Sequence, residues 1–241
     1  MSPGGLSQLT EVERQMKALD LPAPISVRVS PRARRIGLRI DAAERRIELI
    51  LPRGVPANQG VRFLVAKRGW IAARLDALPN PVPFAEGAIV PVRGVPHRIR
   101  RVFDAALPPV AIVDGEIRVR SDPMYLPRRV RDHLVALAAS ELARRARRLA
   151  PEIGHKVARV TVRDTKSRWG SCSGKGSLSF SWRLILAPDT VIDYVVAHEV
   201  AHLAEMNHGP RFWDLVERLS PGNAAPRTWL KQHRSRLFSY G

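Results

Sequence analysis

The sequence has a single cysteine, and it has no apolar run long enough to cross a bilayer. One cysteine, Cys172, excludes an internal disulfide framework and is typical of a protein from a reducing compartment. A membrane-spanning helix needs about 20 consecutive apolar residues, and no such stretch occurs. The first twenty residues are polar and include acids, so they resemble neither a secretory signal nor a typical transit peptide. We therefore expect a cytoplasmic protein.

Acidic residues are also few in comparison with basic ones. The chain has 40 Lys and Arg against 22 Asp and Glu, which gives a formal net charge of +18. Both kinds of residue divide evenly between residues 1–120 and 121–241, so no basic tail or arm stands out. The charge predicts non-specific association with polyanions such as DNA or RNA through a basic surface. It does not by itself indicate a specific nucleic-acid site.

The pattern of apolar residues predicts an α+β protein in three parts. Residues 1–24 are expected to form a flexible leader. Residues 25–120 alternate as short strands around one helix, which predicts a β-rich N-terminal module with mostly antiparallel pairing. Residues 121–241 begin with a long amphipathic helix at 127–150 and end in further helices. We expect the chemistry of the protein to lie in this last part.

The segment that begins at His198 contains an H-E-x-x-H motif. It lies within an apolar stretch from Val191 to Met206, which predicts a buried helix. Residues four apart lie on one face of a helix, so His198 and His202 can bind one Zn²⁺. Glu199 is about 100° further round the helix, where it can reach a metal-bound water without being a ligand. Buried polar side chains are costly without partners, which favours a metal site over structural histidines.

Two residues are candidates for the third metal ligand. His208 follows His202 by six residues, after an Asn-His-Gly break at which the chain can fold back towards the metal. Three histidines would leave a fourth position open for water, which is the arrangement of catalytic rather than structural zinc sites. Glu205 would lie one turn beyond His202 if the helix continued. The sequence favours His208 and leaves Glu205 as the alternative.

This residue set predicts peptide-bond hydrolysis by a zinc-bound water. Glu199 would act as general base towards the water and then as general acid towards the leaving amine. The predicted strand 177–183 is a candidate to pair with an extended substrate peptide. Arg168, in the loop before that strand, would stabilise the oxyanion or bind a carboxylate, unless it has only a structural role.

Residues 167–213, from SRWGSC to HGPRFW, closely resemble the signature of YgjP-like metallopeptidase-domain proteins. Residues 32–41 and 91–99 and the Arg-rich long helix are similar to that family as well. The resemblance implies a zincin-like catalytic domain over residues 121–241, with the three histidines as zinc ligands and Glu199 as catalytic base. It also places the chain near the SprT-like and WLM proteases, some of which act on proteins attached to DNA.

Three functions are compatible with these features. The leading prediction is a zinc metallopeptidase that acts on polypeptide substrates. The second is a DNA-associated protease that acts on nucleic-acid-bound proteins, and it depends on the net charge and the resemblance. The third is a non-catalytic binding module that zinc stabilises, which would unfold on chelation.

Overall fold

The computed structural model describes residues 21–41, 45–104, 106, 108–165 and 168–241. The chain forms two compact units, Met1–Asn80 and Pro81–Gly241. Most of the predicted leader lies outside the described residues. The mixture of helices and small sheets confirms the α+β prediction. Among the described residues, no helix is both long enough and apolar enough to cross a membrane.

The first unit is a three-stranded sheet followed by two helices. Its elements are β1 (Ile25–Ser30), β2 (Gly37–Asp41), β3 (Arg46–Pro52), α1 (Ala57–Ala66) and α2 (Arg68–Asp76). The central strand β3 pairs in parallel with β1 and antiparallel with β2. Its alternate residues are buried and form a core with the helices, because one face of the strand is apolar. One of the two pairings in this sheet is parallel, since alternation predicts a strand but not its direction.

The second unit begins with a four-stranded sheet in the order β4-β5-β7-β6. Its strands are β4 (Ile89–Val92), β5 (Val95–Arg101), β6 (Val110–Val113) and β7 (Glu116–Val119). Asp114 and Gly115 both have positive φ at the β6–β7 turn, as the Asp-Gly pair predicts. Buried residues of this sheet share one core with the helices after residue 120. The units therefore divide after Asn80, whereas the sequence placed the boundary between residues 120 and 121.

A long helix and a second small sheet follow. The helix α3 (Leu126–Leu149) differs by one residue at each end from the prediction. The sheet contains β8 (Arg159–Arg163), β9 (Gly170–Cys172) and β10 (Ser177–Ser181), in the order β8-β10-β9. Because β10 has partners on both sides, the prediction that this strand pairs with substrate is wrong. The edge strands are β8 and β9.

Three helices complete the unit: α4 (Asp189–Ala201), α5 (Pro210–Leu219) and α6 (Ala224–Phe238). Short 3-10 segments precede α3, follow it and precede α4, at Pro123–Tyr125, Ala150–Ile153 and Trp182–Leu186. Most of α4 is buried, as its apolar sequence predicts. However, α4 ends at Ala201 rather than at Met206. After it the chain forms a tight turn, in which the amides of Leu203 and Ala204 bond to carbonyls three residues back.

Candidate metal centre

Three histidines from the end of α4 and the segment after it come together. His198 lies in the last turn of α4, His202 directly follows the helix, and His208 lies two residues before α5. One ring nitrogen from each lies within 4.8 Å of the others. The Nε2 atoms of His198 and His208 are 3.2 Å apart. Zinc–nitrogen bonds of about 2.0–2.1 Å in a tetrahedron place ligand atoms about 3.3 Å apart, which is close to the separation of His198 and His208.

The ring hydrogen bonds show which nitrogen is available for a metal. Nδ1 of His202 lies 3.0 Å from the carbonyl oxygen of Glu205 and donates to it, which leaves Nε2 to face the other rings. Nδ1 of His198 is buried and has no hydrogen-bond partner among the described residues. Burial lowers the pKa of His198 to about 4, with smaller effects from His202, His208 and Arg227. His198 is therefore neutral at pH 7, the form that binds metal.

Glu205 contributes its backbone, and not its side chain, to this arrangement. The sequence offered its carboxylate as a ligand only if the helix continued past His202. The helix ends at Ala201, and the Glu205 carbonyl oxygen instead holds the His202 ring. In the described part of the chain, the side chains close enough together to share one metal ion are those of His198, His202 and His208. The geometry thus favours His208 as the third ligand.

The carboxylate of Glu199 lies buried against the backbone of the edge strand β9. The residue is 6% exposed, and burial raises its pKa to about 7, while the charge of Arg168 lowers it. A Cβ atom at Gly170 would lie 2.5 Å from Oε1 of Glu199. Only glycine lets β9 approach the carboxylate so closely. Gly170 was not among the residues predicted for the site, although a glycine in a strand often marks a close approach.

Arg168 lies on the Glu199 side of the centre. It is exposed, and its positive charge is close enough to Glu199 to oppose the effect of burial on the pKa of that carboxyl. Its carbonyl oxygen accepts a hydrogen bond of 2.7 Å from Thr165. Its guanidinium makes no ion pair with the residues that the structure describes. The side chain is thus available for an anionic group near Glu199.

Aromatic residues of α5 fix the positions of the histidine rings. The Phe212 side chain is fully buried, and its ring centroid lies 4.5–4.9 Å from those of the three histidines. The neighbouring Trp213 lies 5.9 Å from His198 and from His208. Sequence reasoning placed these aromatics in a helix but did not connect them with the metal site. Their spacing gives no signal, because it is that of an ordinary amphipathic helix.

Buried and half-buried charges hold the beginning of α4. Asp189 bonds to Arg93, in the β4–β5 turn, at 2.7 Å, and to Arg145 of α3. Arg145 is 2% exposed and also bonds to Asp193 at 2.8 Å. The side-chain hydrogen bond from Arg93, followed by the bond from Arg145, lowers the pKa of Asp189 to about 2. These contacts fix α4, and with it His198 and Glu199, against two other elements.

Comparisons with known proteins support a metallopeptidase. The model of the YgjP-like metallopeptidase domain matches residues 34–233. Comparison with curated proteins gives no match. Two solved structures of metallopeptidase zymogens are similar: abylysin from Pyrococcus abyssi (22% identity, TM-score 0.33) and jannalysin from Methanocaldococcus jannaschii (17%, 0.30). The matches cover 40% and 44% of this chain and 95% of each zymogen. Both TM-scores are below 0.5, so neither structure informs the geometry of the site.

Proposed function

Because the chain belongs to the YgjP-like metallopeptidase family, we propose that its three histidines hold a catalytic Zn²⁺ and that Glu199 moves the protons in peptide-bond hydrolysis. The family establishes a metal-dependent peptidase, and the choice of metal and the role of each residue are our proposal. The main support for this proposal is that nitrogens of three imidazole rings lie close together, next to the buried carboxylate of Glu199.

Zinc is the metal that this donor set suits best. Imidazole is a borderline-soft ligand that binds zinc well, whereas Mg²⁺ and Ca²⁺ prefer oxygen donors. When bound, the ion supplies Lewis acidity at a carbonyl oxygen and acidifies a water molecule. Three protein ligands leave a position for that chemistry, as in other catalytic zinc sites.

Glu199 receives and returns the proton. Its carboxylate accepts a proton from the attacking water at one oxygen and then gives that proton to the nitrogen of the leaving amine. Burial raises the pKa of Glu199, and this greater affinity for a proton suits a group that must accept a proton and then return it. Arg168 lies close enough to act on the same carboxyl, and in our proposal its guanidinium stabilises negative charge on the substrate.

The edge strand β9 is the proposed binding site for the substrate backbone. It pairs with β10 on one side and ends the sheet on the other. An extended peptide that adds to a sheet edge gains backbone hydrogen bonds and is held in a fixed register. Gly170, the first residue of β9, brings this edge against Glu199. A peptide along β9 would therefore pass the proton-transfer group.

Substitution of Glu199 by Gln tests the function directly. The amide has nearly the same size but cannot accept the proton, so zinc should remain at one per chain while turnover falls by about 10²–10⁴-fold. Elemental analysis and cleavage of a mixed peptide library measure the two quantities. The control is the double variant Glu199→Gln/Arg147→Gln, which also lacks the exposed positive charge of Arg147. Equal zinc content in the two variants shows that zinc retention does not depend on surface charge. Full proteolytic activity in Glu199→Gln would exclude the proposal.

A nucleic-acid-associated peptidase is the second candidate, because several arginines of the first unit lie at one end of its sheet. Residues 21–80 contain 12 Lys and Arg and 4 Asp and Glu. The last residue of β1, Ser30, pairs with Pro52 at the end of β3. The first residue of β2, Gly37, pairs with Ile50 near the same end. The loop between β1 and β2 therefore crosses the end of β3. This places three exposed loop arginines close to Arg53. They are Arg32, Arg34 and Arg35. Such a cluster suits phosphate groups.

Nucleic-acid binding at several salt concentrations separates this candidate from a peptidase that has no such partner. Replacement of the three loop arginines by Gln should weaken DNA or RNA binding and reduce the slope of log affinity against log salt by about two to three. Cleavage of a protein mixed with DNA, compared with the same protein alone, measures any effect on proteolysis. The candidate is excluded by a wild-type chain that neither binds nucleic acid at physiological salt nor changes its cleavage rate.

A further inference from the structure

Arg227, near the beginning of α6, lies beside the metal centre. Its guanidinium carbon is 4.9 Å from the centroid of the Trp213 ring, which is a cation–π contact. The Trp213 ring in turn lies 5.9 Å from the rings of both His198 and His208. Arg227 is therefore held next to two of the proposed zinc ligands by a side chain that touches both.

The guanidinium of Arg227 has hydrogen-bond donors that are available to a ligand. The residue is exposed, and it forms no ion pair with the residues that the structure describes. A cation–π contact takes up none of the N–H donors, so the guanidinium can still bind a ligand through them. Trp213 also limits the motion of the long side chain, which lowers the entropy lost when a ligand binds.

The electrostatic surroundings of the centre are positive on the side of Arg227. Arg227 is exposed and contacts Trp213, so its charge lies beside the rings of His198 and His208. Arg168 brings a second positive charge near Glu199. Glu199 itself is 6% exposed and is needed for proton transfer. A negatively charged substrate group bound beside His198 and His208 would thus meet the positive charge of Arg227, while Arg168 lies on the Glu199 side of the centre.

We propose that Arg227 determines specificity by binding a carboxylate of the substrate polypeptide close to the scissile bond. This inference depends on the proposed peptidase function and names its substrate class, which is acidic peptides. Carboxylates bind the planar edge of a guanidinium through two parallel hydrogen bonds, and Arg is better suited to this than Lys. The carboxylate comes from a Glu or Asp side chain or from the C-terminus of the substrate.

The test uses the zinc-loaded full chain and pairs of matched peptides. One pair differs by Glu or Gln at each position around the cleaved bond, and a second pair has a free or an amidated C-terminus. The wild type should cleave the acidic member of one pair with about tenfold higher kcat/KM. The pair that responds identifies the source of the carboxylate. In Arg227→Gln the preference should disappear while cleavage of the neutral member remains, and Arg227→Lys should retain part of it.

Arg147→Gln is the matched control, because Arg147 is an exposed arginine near the end of α3 and its loss changes the net charge equally. It should leave the preference unchanged. Equal loss of activity on both members of each pair in Arg227→Gln, or loss of zinc from that variant, would overturn the proposal, since either result indicates a structural role. An unchanged preference would overturn it as well.

A binding measurement keeps this inference separate from the peptidase function. In the Glu199→Gln chain, which should bind without cleaving, calorimetry compares the affinities for the same peptides with and without Arg227→Gln. Tighter binding of the acidic peptide that depends on Arg227 supports the inference even if no peptide is cleaved by the wild type. Equal affinities for acidic and neutral peptides overturn it, whatever the catalytic result.

Discussion

At the scale of single residues, the centre depends on a glycine as much as on its charged groups. Glu199 is buried, which raises its pKa, and it lies where a side chain at position 170 would otherwise be. The same close approach brings the free edge of β9 to the carboxylate. In our proposal, a peptide bound at that edge lies beside the carboxylate that exchanges protons, and the absence of a Cβ atom at Gly170 permits this close approach.

Gly170→Ala should impair catalysis without removing the metal. The added methyl group would lie 2.5 Å from the Glu199 carboxylate, so either the carboxylate or β9 must move. We expect kcat/KM to fall by about 10²-fold and the free energy of unfolding to fall by about 1–3 kcal/mol, with zinc retained. Gly174→Ala is the control, because a Cβ atom at that position would have no neighbouring atom within 4 Å. Wild-type kinetics in Gly170→Ala would contradict this role of the glycine.

Loss of the His208 ring should weaken zinc binding far more than loss of the Glu205 side chain. In our proposal His208 donates a ligand nitrogen, whereas Glu205 holds His202 through a backbone oxygen that Ala also has. We expect His208→Ala to lower zinc affinity by more than about 100-fold, and Glu205→Ala to leave it nearly unchanged. Competition with a chromogenic chelator measures both. The reverse ranking would make Glu205 the third ligand.

At the scale of elements, α4 is fixed at both ends by different physical means. Its beginning is held by ion pairs from Arg93 and Arg145 to Asp189. Its end is followed by a tight turn and by Phe212 of α5, which packs against the histidine rings. Charge thus holds the end of the helix that is remote from the histidines, and aromatic packing holds the end at which the histidines come together.

The ion pairs of Asp189 should make stability depend on pH in the acid range. Its pKa is lowered from 3.8 to about 2, so the stabilisation is fully present above pH 3.8 and is lost as the pH falls through about 2. Since the side chain is 42% exposed, we expect a contribution on the order of 1 kcal/mol after solvent screening. Urea unfolding of wild type and Asp189→Asn should therefore differ above pH 4 and converge towards pH 2.

Asp132→Asn is a suitable control for that series. The ion pair of Asp132 with Arg128 is 3.5 Å long and largely exposed, so its loss should not change how stability depends on pH. If the difference between wild type and Asp189→Asn stayed constant from pH 6 to pH 2, the ion pairs would not be its source.

At the scale of the whole molecule, the two units have separate cores. Buried residues between Ile47 and Leu75 form one cluster, and those between Phe84 and Tyr240 form another. The second cluster includes the sheet β4–β7, which the sequence assigned to the N-terminal module. The metal centre and its supporting elements all belong to the second unit.

Residues 81–241 should consequently fold and bind zinc without the first unit. They contain the three histidines, Glu199 and the core that supports them. We expect about one zinc per chain by elemental analysis and a cooperative thermal transition for this fragment. Expression of residues 121–241 serves as the comparison, because it removes the sheet β4–β7 from the core and should be strongly destabilised. Equal stability of the two fragments would favour the boundary that the sequence predicted.

The sequence alone determined what depends on neighbouring residues. The spacing of His198 and His202 along a helix, the Asp-Gly turn between β6 and β7, and the limits of α3 are all set by interactions within a few residues. The same local information brought His208 into consideration. It favoured His208 but left Glu205 as an alternative, because the position of the Glu205 side chain depends on where α4 ends.

Tertiary structure decided what depends on residues that are distant in sequence. The helix ends at Ala201 and β10 becomes a central strand. Gly170 lies against Glu199, and Phe212 packs against His198. Hydrophobic periodicity says which face of an element is buried, but not which other element covers it or which strand is left at an edge. Burial against distant elements therefore fixed the pKa of Glu199, the edge strand beside it and the division of the chain after Asn80.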